Sequence, residues 1–494
     1  MAIDFKRFFE LVFPGREPNS IFTNHDIKVL NELIRYQDYY DNEVFQYIVK
    51  KFPEYDEQRS AQLQYRPSQI PINYSRMIVN KLSSFQFTEP ITFQVEKGNG
   101  KVDAKLQTVM EGIHNDNNMN LKLMQGSQEA NISGGAGIKI VYDEDLKQVR
   151  FLVRPRMETW VLTERDDTEK IVRVHFAFFL DGKGKRVWKQ TWELKLNPQG
   201  EKAVWLDEAI WDLTDTPKVE KQIFEGFVMI GSKFLTFLPV YIIPNLPQVN
   251  RSWGISELKD LIPIIDELNK KTSDSADALR FEMFAITIMM NINPAKQNDK
   301  EGGFGLKTKP GAMWNLAGGS PTSNLKPEVS KLESNFSYVE SLKLHMGNLK
   351  SLLFELSSVV QIDDKISSLG PISGVALKLL FANMAIKTNN KNTVWEPKLE
   401  KIYLDMLRLK GLHEGFGVAD DIKVDIKISS PIPQNEVEKM QVISTKISSN
   451  LISIERAMKE IGIVDTKAEM AKILEEGKAD DEMLNDIMNR TSNE

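Results

Sequence analysis

Two long helix-patterned runs bracket a stretch that cannot be helical, and any fold for this chain has to house both. The first covers residues 255–292, with apolar positions at Leu258, Leu261, Ile262, Ile265, Leu268, Ala276, Leu279, Met283 and Ile286. Steps of three, four and seven make one stripe along a helix. The second is stricter: Val339, Leu342, Met346, Leu349, Leu353, Leu356 and Val360 alternate steps of three and four, the seam of helices lying along helices. At 1.5 Å per residue the first run would reach about 57 Å and the second about 33 Å, both longer than an ordinary globular helix. Neither is apolar enough to span a membrane. Between them, Gly302, Gly303, Gly305, Gly311, Gly318 and Gly319 with Pro294, Pro310, Pro321 and Pro327 rule out a continuing helix. Short strands such as Gly311-Ala-Met-Trp-Asn-Leu316 remain compatible with that stretch. The expected geometry is helix out, small knob, helix back. A polar loop over 361–373 follows, then a third helix with Ser373 as its expected N-cap.

With 494 residues the chain is too long for one simple domain, and two to four are expected. Cysteine is absent, which excludes a disulfide framework, thiolate zinc sites and a thiol nucleophile. No signal peptide is expected from Met1-Ala-Ile-Asp-Phe-Lys6, and the apolar run 237–244 is too short to cross a bilayer. The net charge is −6, and residues 435–494 alone hold thirteen acidic against eight basic side chains. A protein that grips duplex DNA tightly usually carries a basic excess, because phosphate neutralisation dominates that affinity. If this chain handles DNA, it should do so loosely.

Taken in order, residues 1–65 read as connected helices. Pro67, Pro71 and Pro90 punctuate the next segment, in which Met77, Ile78 and Leu82 suit a buried helix face and 91–96 alternates like a strand. From 137 to 205 the period becomes two. Ile138-Lys-Ile-Val-Tyr142, Val149-Arg-Phe-Leu-Val153, Ile171-Val-Arg-Val-His-Phe176 and Val187-Trp-Lys-Gln-Thr-Trp192 read as strands of one antiparallel meander, with turns at 182–184 and 197–200. Residues 239–247 read as a proline-broken connector. Pro397 should kink or break the third helix, and Pro263 casts doubt on where the first begins. Residues 423–428 form one more strand. Asn435 with Glu438 opens an amphipathic helix expected to run to Gly462, and Thr466 with Glu469 has capping-box spacing.

Chemical motifs are scarce. Neither Gly134-Gly-Ala-Gly-Ile-Lys139 nor Lys97-Gly-Asn-Gly-Lys101 has the spacing or the hydroxyl of a phosphate loop. The histidines at 25, 114, 175, 345 and 413 are scattered, so packed or surface roles are expected rather than metal ligation. Asp363 and Asp364 lack a third acidic ligand at a recognisable spacing. No catalytic residue, metal or cofactor is expected. Two other readings remain open on the sequence: a metal-dependent nucleic-acid enzyme using that aspartate pair, and a helical scaffold-type assembly protein.

Three segments carry a resemblance. They are Ile72-Asn-Tyr-Ser-Arg-Met-Ile-Val-Asn-Lys-Leu82; Leu238-Pro-Val-Tyr-Ile-Ile-Pro-Asn245 leading to Trp253-Gly-Ile-Ser-Glu-Leu258 and Ile264-Ile-Asp-Glu-Leu-Asn269; and Gly370-Pro-Ile-Ser-Gly-Val-Ala-Leu-Lys-Leu379. In this order and spacing the chain resembles the portal, or head-to-tail connector, proteins of long-tailed double-stranded DNA bacteriophages. The resemblance implies an α+β fold that is mainly helical and multi-domain. Its parts would be a wing over 1–253 containing an antiparallel sheet, with 415–433 a candidate to rejoin it, a first stem helix over 254–292 and a small clip over 293–328. A second stem helix over 329–360, a tunnel loop over 361–373, a kinked wing helix over 374–414 and a helical crown over 434–494 would follow.

It further implies a ring of about twelve subunits at one capsid vertex of the virion, made in the host cytoplasm. Double-stranded DNA would pass loosely and without sequence specificity during packaging and ejection. The terminase motor, a head-completion adaptor, and scaffold and major capsid proteins would be partners, with no membrane involved. By that correspondence Asp363, Asp364, Lys365, Ser367 and Ser368 face the tunnel. Lys307, Lys309, Met313 and Trp314 bind partners at the clip. Leu258, Ile262, Ile265, Val339, Leu342, Met346, Leu349, Leu353 and Leu356 pack the stem between subunits.

Overall fold

The computed structural model describes residues 12, 21–52, 67–164, 166–214, 217–249, 251–283, 287–290, 292–293, 317–318, 328–331, 338–361, 378–429, 436–449, 451–461, 469–470 and 473. The chain divides into two compact units: Met1–Val359 with Lys387–Ser430, and Val360–Ile386 with Pro431–Glu494.

In the first unit, helices α1 (Ile21–Asp41) and α2 (Phe45–Lys51) precede α3 (Tyr74–Phe87). Asn73 starts α3 by accepting the N–H of Arg76 at 2.9 Å, and Ile78 and Leu82 turn inward as their spacing required. Strand β1 (Thr92–Glu96) leads to α4 (Ala104–Asp116), whose cap Asp103 accepts from Lys105 and Leu106, and then to α5 (Met119–Ser133). Gly134 closes α5 in the left-handed region, φ +86°, returning its N–H to Ala130.

The period-two stretch is not one meander. Strands β2 (Gly135–Asp143) and β3 (Gln148–Arg154) belong to a three-stranded sheet in the order β11-β2-β3. Strand β11 (Val240–Pro244) lies within the segment expected to be a connector. Val240, Tyr241, Ile242 and Ile243 are all buried, and their backbone pairs with β2. Pro155 and a 3₁₀ turn at Arg156–Glu158 interrupt the chain after β3. A separate five-stranded antiparallel meander then runs β4 (Thr159–Thr163), β5 (Ile171–Phe179), β6 (Arg186–Leu196), β7 (Lys202–Asp212) and β8 (Lys218–Phe227), strand order following sequence order. Short β9 (Met229–Ile230) and β10 (Lys233–Phe234) follow it. Alternation shows which residues share a face, but not which strand lies alongside.

The first long run becomes α6 (Ile262–Met283) and then strand β12 (Thr287–Met290), with β13 (Ile292–Asn293) beyond it; the helix does not reach Ile292. Pro263 sits in the first turn, where its missing N–H has no intrahelical partner to lose. Strand β14 (Ala317–Gly318) pairs with β13, and β15 (Glu328–Lys331) with β12. The second run becomes α7 (Val339–Ser357). Helix α8 (Ala382–Glu414) runs continuously through Pro397. Trp395, Leu399, Ile402, Tyr403 and Met406 around that proline are all at most 1% exposed, so burial holds the helix where an exposed one would open. Strand β16 (Lys423–Lys427) returns to pair antiparallel with β1, from Thr92↔Lys427 to Glu96↔Lys423. The main core joins the three-stranded sheet to α4, α5 and α8 through Met110, Leu123, Ile138, Phe151 and Tyr403.

In the second unit, the helix expected to run to Gly462 is two: α9 (Glu436–Ser448) and α10 (Ile454–Ile461). Ser453 accepts the N–H of Arg456 at 3.3 Å, a fresh N-cap that explains the restart.

Candidate functional site

The chain around α6 holds the densest specific contacts. Its stripe is apolar only at the start: Leu258, Leu261, Ile262, Ile265 and Leu268 are buried, then Asn269, Ser273 and Asp277 take over the inward face. Leu279, expected inside, is 57% exposed. The polar positions are covered by an extended strap. Backbone N–H groups of Ile72, Ile70 and Ser68 donate in turn to Asn269 Oδ1 at 2.8 Å, Ser273 Oγ at 3.1 Å and Asp277 Oδ2 at 2.9 Å. Two extended residues advance about 6.6 Å and four helical residues about 6.0 Å, so strand and helix repeats stay in step. Pro67 and Pro71 occupy alternate positions, where no donor toward the helix is needed. One turn earlier Asp266, 1% exposed, accepts the Tyr39 hydroxyl and lies 3.4 Å from Lys51 Nζ. Burial, and then the Asp266 carboxylate beside it, raises the Tyr39 phenol above its ordinary value.

Ahead of α6, the segment Trp253-Gly-Ile-Ser-Glu-Leu258 is locked against the end of α5. Gly254 passes so close to Asn245 that an added Cβ would lie 1.5 Å from its carbonyl oxygen. Asn245 and Gly254 both donate their N–H to Gly134 O, at 3.0 and 2.9 Å, and Glu257 donates its own to Asn131 O at 2.9 Å. The Glu257 side chain, 3% exposed, holds two ammonium groups from α8: Lys387 at 2.5 Å and Lys391 at 2.8 Å. Burial pushes the Glu257 carboxyl up, but Lys391 and Lys387 together outweigh it and bring it to about 2. Lys391 also donates to Asn131 Oδ1, and Lys387 to the Ser357 carbonyl at the end of α7, 3.0 Å away. Next to this cluster, Ser127 Oγ donates to Gln86 and Gln86 to Asn392. Five segments therefore meet through one buried polar network, a device that fixes register more than it adds stability.

The expected inter-subunit stem positions separate into two groups. Leu258, Ile262 and Ile265, at most 3% exposed, are already part of the chain's own core, as is Leu353 on α7. They have no free surface to offer a neighbour. The end of α5 lies against the segment entering α6, with Ser256 and Glu257 both bonded to Asn131 O. Leu342, Met346 and Leu349 are half-buried, while Val339 and Leu356 are 43% and 55% exposed. Leu344 and Leu352 add further open apolar surface to α7, at 67% and 46%. His345 on α7 reaches within 4.0 Å of Glu267 on α6, so the two helices lie side by side.

A cleft of about 590 Å³ opens between α1, the 3₁₀ turn with β4, and the 251–259 segment. Lys28, Arg156, Arg251 and Lys259 line it against one carboxylate, Glu32, and Arg156 lies over the Trp253 ring at 5.0 Å. Burial lowers the Arg156 guanidinium to about 10.

The tunnel-loop residues Asp363, Asp364, Lys365, Ser367 and Ser368 and the clip residues Lys307, Lys309, Met313 and Trp314 lie outside the described residues. Among the described residues no group of three or more His, Asp or Glu could hold a metal, and no helix is long and apolar enough to cross a membrane. His175 is buried in β5 against Thr191 Oγ1 at 3.0 Å. The sequence reading missed the polar stripe on α6; the signal was Asp266, Asn269, Ser273 and Asp277, spaced three, four and four.

No curated protein matches the chain. Among solved structures, a chain from the virion of a native gene transfer agent particle is similar at 10% identity and a TM-score of 0.42, over 79% of this chain and 89% of that one. A chain from the neck of an empty gene transfer agent particle, solved with C6 symmetry, gives 10% identity, 0.44 and the same coverage. The sequence profile described as "Phage portal protein, SPP1 Gp6-like" matches residues 19–483, and the chain belongs to that family.

Proposed function

We propose that this chain is the portal subunit of a virion: about twelve copies close into a ring at one capsid vertex, and double-stranded DNA passes through it in packaging and ejection. Family membership supports the role. The observation that carries the ring is the outer surface of α7, where Val339, Leu344, Leu352 and Leu356 stay exposed around the helix. Apolar side chains repeated along one long helix are costly to leave in water, and copies packed side by side cover them. A closed head-to-tail ring is one arrangement in which every copy gains that cover.

In this reading α6 and α7 are the stem, and Lys307, Lys309, Met313 and Trp314 belong to a clip that meets the terminase motor and later the head-completion adaptor. Scaffold and major capsid proteins contact the ring from outside. Asp363, Asp364, Lys365, Ser367 and Ser368 face the tunnel, with Lys365 touching phosphate and the two aspartates shortening each contact. The net negative charge suits a wall past which DNA slides. Weak contacts repeated around a ring can still retain DNA through avidity. The role is structural and needs no catalytic residue.

Native mass measurement and negative-stain imaging of the purified chain test the ring. A closed assembly of about twelve copies is expected, and a monomer or a dimer overturns the reading. Exchanging Asp363 and Asp364 for lysine should slow DNA passage; unchanged packaging and retention would remove the loop from the mechanism.

A further inference from the structure

The cleft beside α1 is built for a carboxylate-bearing visitor. Lys28, Arg251 and Lys259 are exposed and have no carboxylate within 4 Å among the described residues, and Arg156 forms the floor. Arg156 is held by Ser133 O and offset by Glu129. Lys28, Arg251 and Lys259 at the rim face only Glu32 among the lining carboxylates, which leaves a concave, positively charged surface with an aromatic wall at Trp253. Like charges gathered in a recess repel one another, and an anion brought between them relieves that repulsion.

The same chain carries a matching acidic tip. Asp143, Glu144 and Asp145 are consecutive at the β2–β3 turn, with Leu146 beside them 55% exposed. Asp143 uses Oδ1 to accept the N–H groups of Asp145 and Leu146, which stiffens the turn and leaves the other carboxylates outward. None of the three has a lysine or arginine within 4 Å among the described residues, unlike Glu164 in the next acidic turn, which Lys170 neutralises at 2.5 Å. The tip cannot serve its own cleft. Gly135, where β2 begins, lies against Trp253, and eight extended residues carry the strand about 27 Å away to Asp143.

We propose that the Asp143-Glu144-Asp145 turn of one copy docks in the Lys28, Arg156, Arg251 and Lys259 cleft of the next. The inference rests on the ring reading above and names a specific contact for it. Cleft and tip are different surfaces of one chain, so the contact is head-to-tail and can repeat until it closes. Its contribution is electrostatic: it sets which neighbour is accepted and in what register, while the apolar flank of α7 supplies most of the burial.

The absence of cysteine makes the contact directly testable in the full chain. A variant carrying both Lys259→Cys and Glu144→Cys should, on mild oxidation of assembled rings, give a ladder of covalent oligomers, and each single variant should give none. Rings that assemble yet yield no ladder overturn the proposal while leaving the portal reading intact; a wild-type chain that makes no ring overturns both. As a second measurement, Arg251→Glu with Lys259→Glu should cut the ring fraction at fixed concentration about tenfold. Adding Glu144→Lys and Asp145→Lys to that chain should restore it. All four positions are exposed, so folding of each variant is checked by its unchanged melting curve. Loss without restoration would mean the cleft receives something other than this turn.

Discussion

The N–H of Ile70 donates to Ser273 Oγ at 3.1 Å, the middle rung of a ladder that ties an extended strap to the inward face of α6. Ser273 is fully buried and its hydroxyl also donates to the Asn269 carbonyl at 2.9 Å. Ser273→Ala would take away the acceptor of the Ile70 N–H, at a cost of about 0.5–1.5 kcal/mol read from urea unfolding. Thr272→Ala, one residue away, removes a hydroxyl that bonds within its own helix, to Leu268 O. That control should stay within about 0.5 kcal/mol of wild type. Equal effects of the two would dismiss the strap as a stabilising element.

Among the described residues Glu257 is the single anion between Lys387 and Lys391. Glu257→Gln would leave two ammonium groups buried without a counter-charge and should destabilise by about 3–5 kcal/mol. Lys391→Met, which removes the excess cation, should cost less.

The same carboxyl predicts a pH dependence. Its folded value, about 2, lies below its ordinary 4.5, so the unfolded chain binds the proton more readily between those values. The stabilisation is therefore complete above about pH 4.5 and drains away as the pH falls toward 2. Denaturation midpoints of wild type and Glu257→Gln measured across that window should converge at the acid end; curves that stay parallel would contradict the assignment.

Leu356 and Leu353 sit three residues apart on α7 but face different surroundings, 55% and 0% exposed. Leu356→Glu should leave the monomer's stability within about 0.5 kcal/mol and abolish rings in sedimentation. Leu353→Ala should lower stability by about 2–5 kcal/mol, whatever the state of assembly.

Gly254 has no room for a side chain against Asn245. Gly254→Ala forces backbone apart at the joint between α5 and α6 and should cost about 3 kcal/mol or more. A soluble variant of native melting temperature would show that this joint yields easily.

The sequence by itself determined that long helices stand near 262–283, 339–357 and 382–414, and their order, but not where each one ends. Pro263 acts through its own backbone, so its place in the first turn of α6 follows from local rules. Periodicity also marked Ile78, Leu82, Ile265 and Leu353 as inward-facing. What lies opposite a face was decided only in three dimensions. Residues 240–244 look like a connector until β2 supplies a partner for their backbone. Asn269, Ser273 and Asp277 look like solvent positions until a strap from two hundred residues earlier brings donors to them. Leu344 and Leu356 lie on one helix with Leu353, yet only Leu353 meets a wall of its own chain. A repeat along the chain fixes direction in space. Cover, pairing and charge balance depend on segments remote in sequence, and those are set by the whole fold at once.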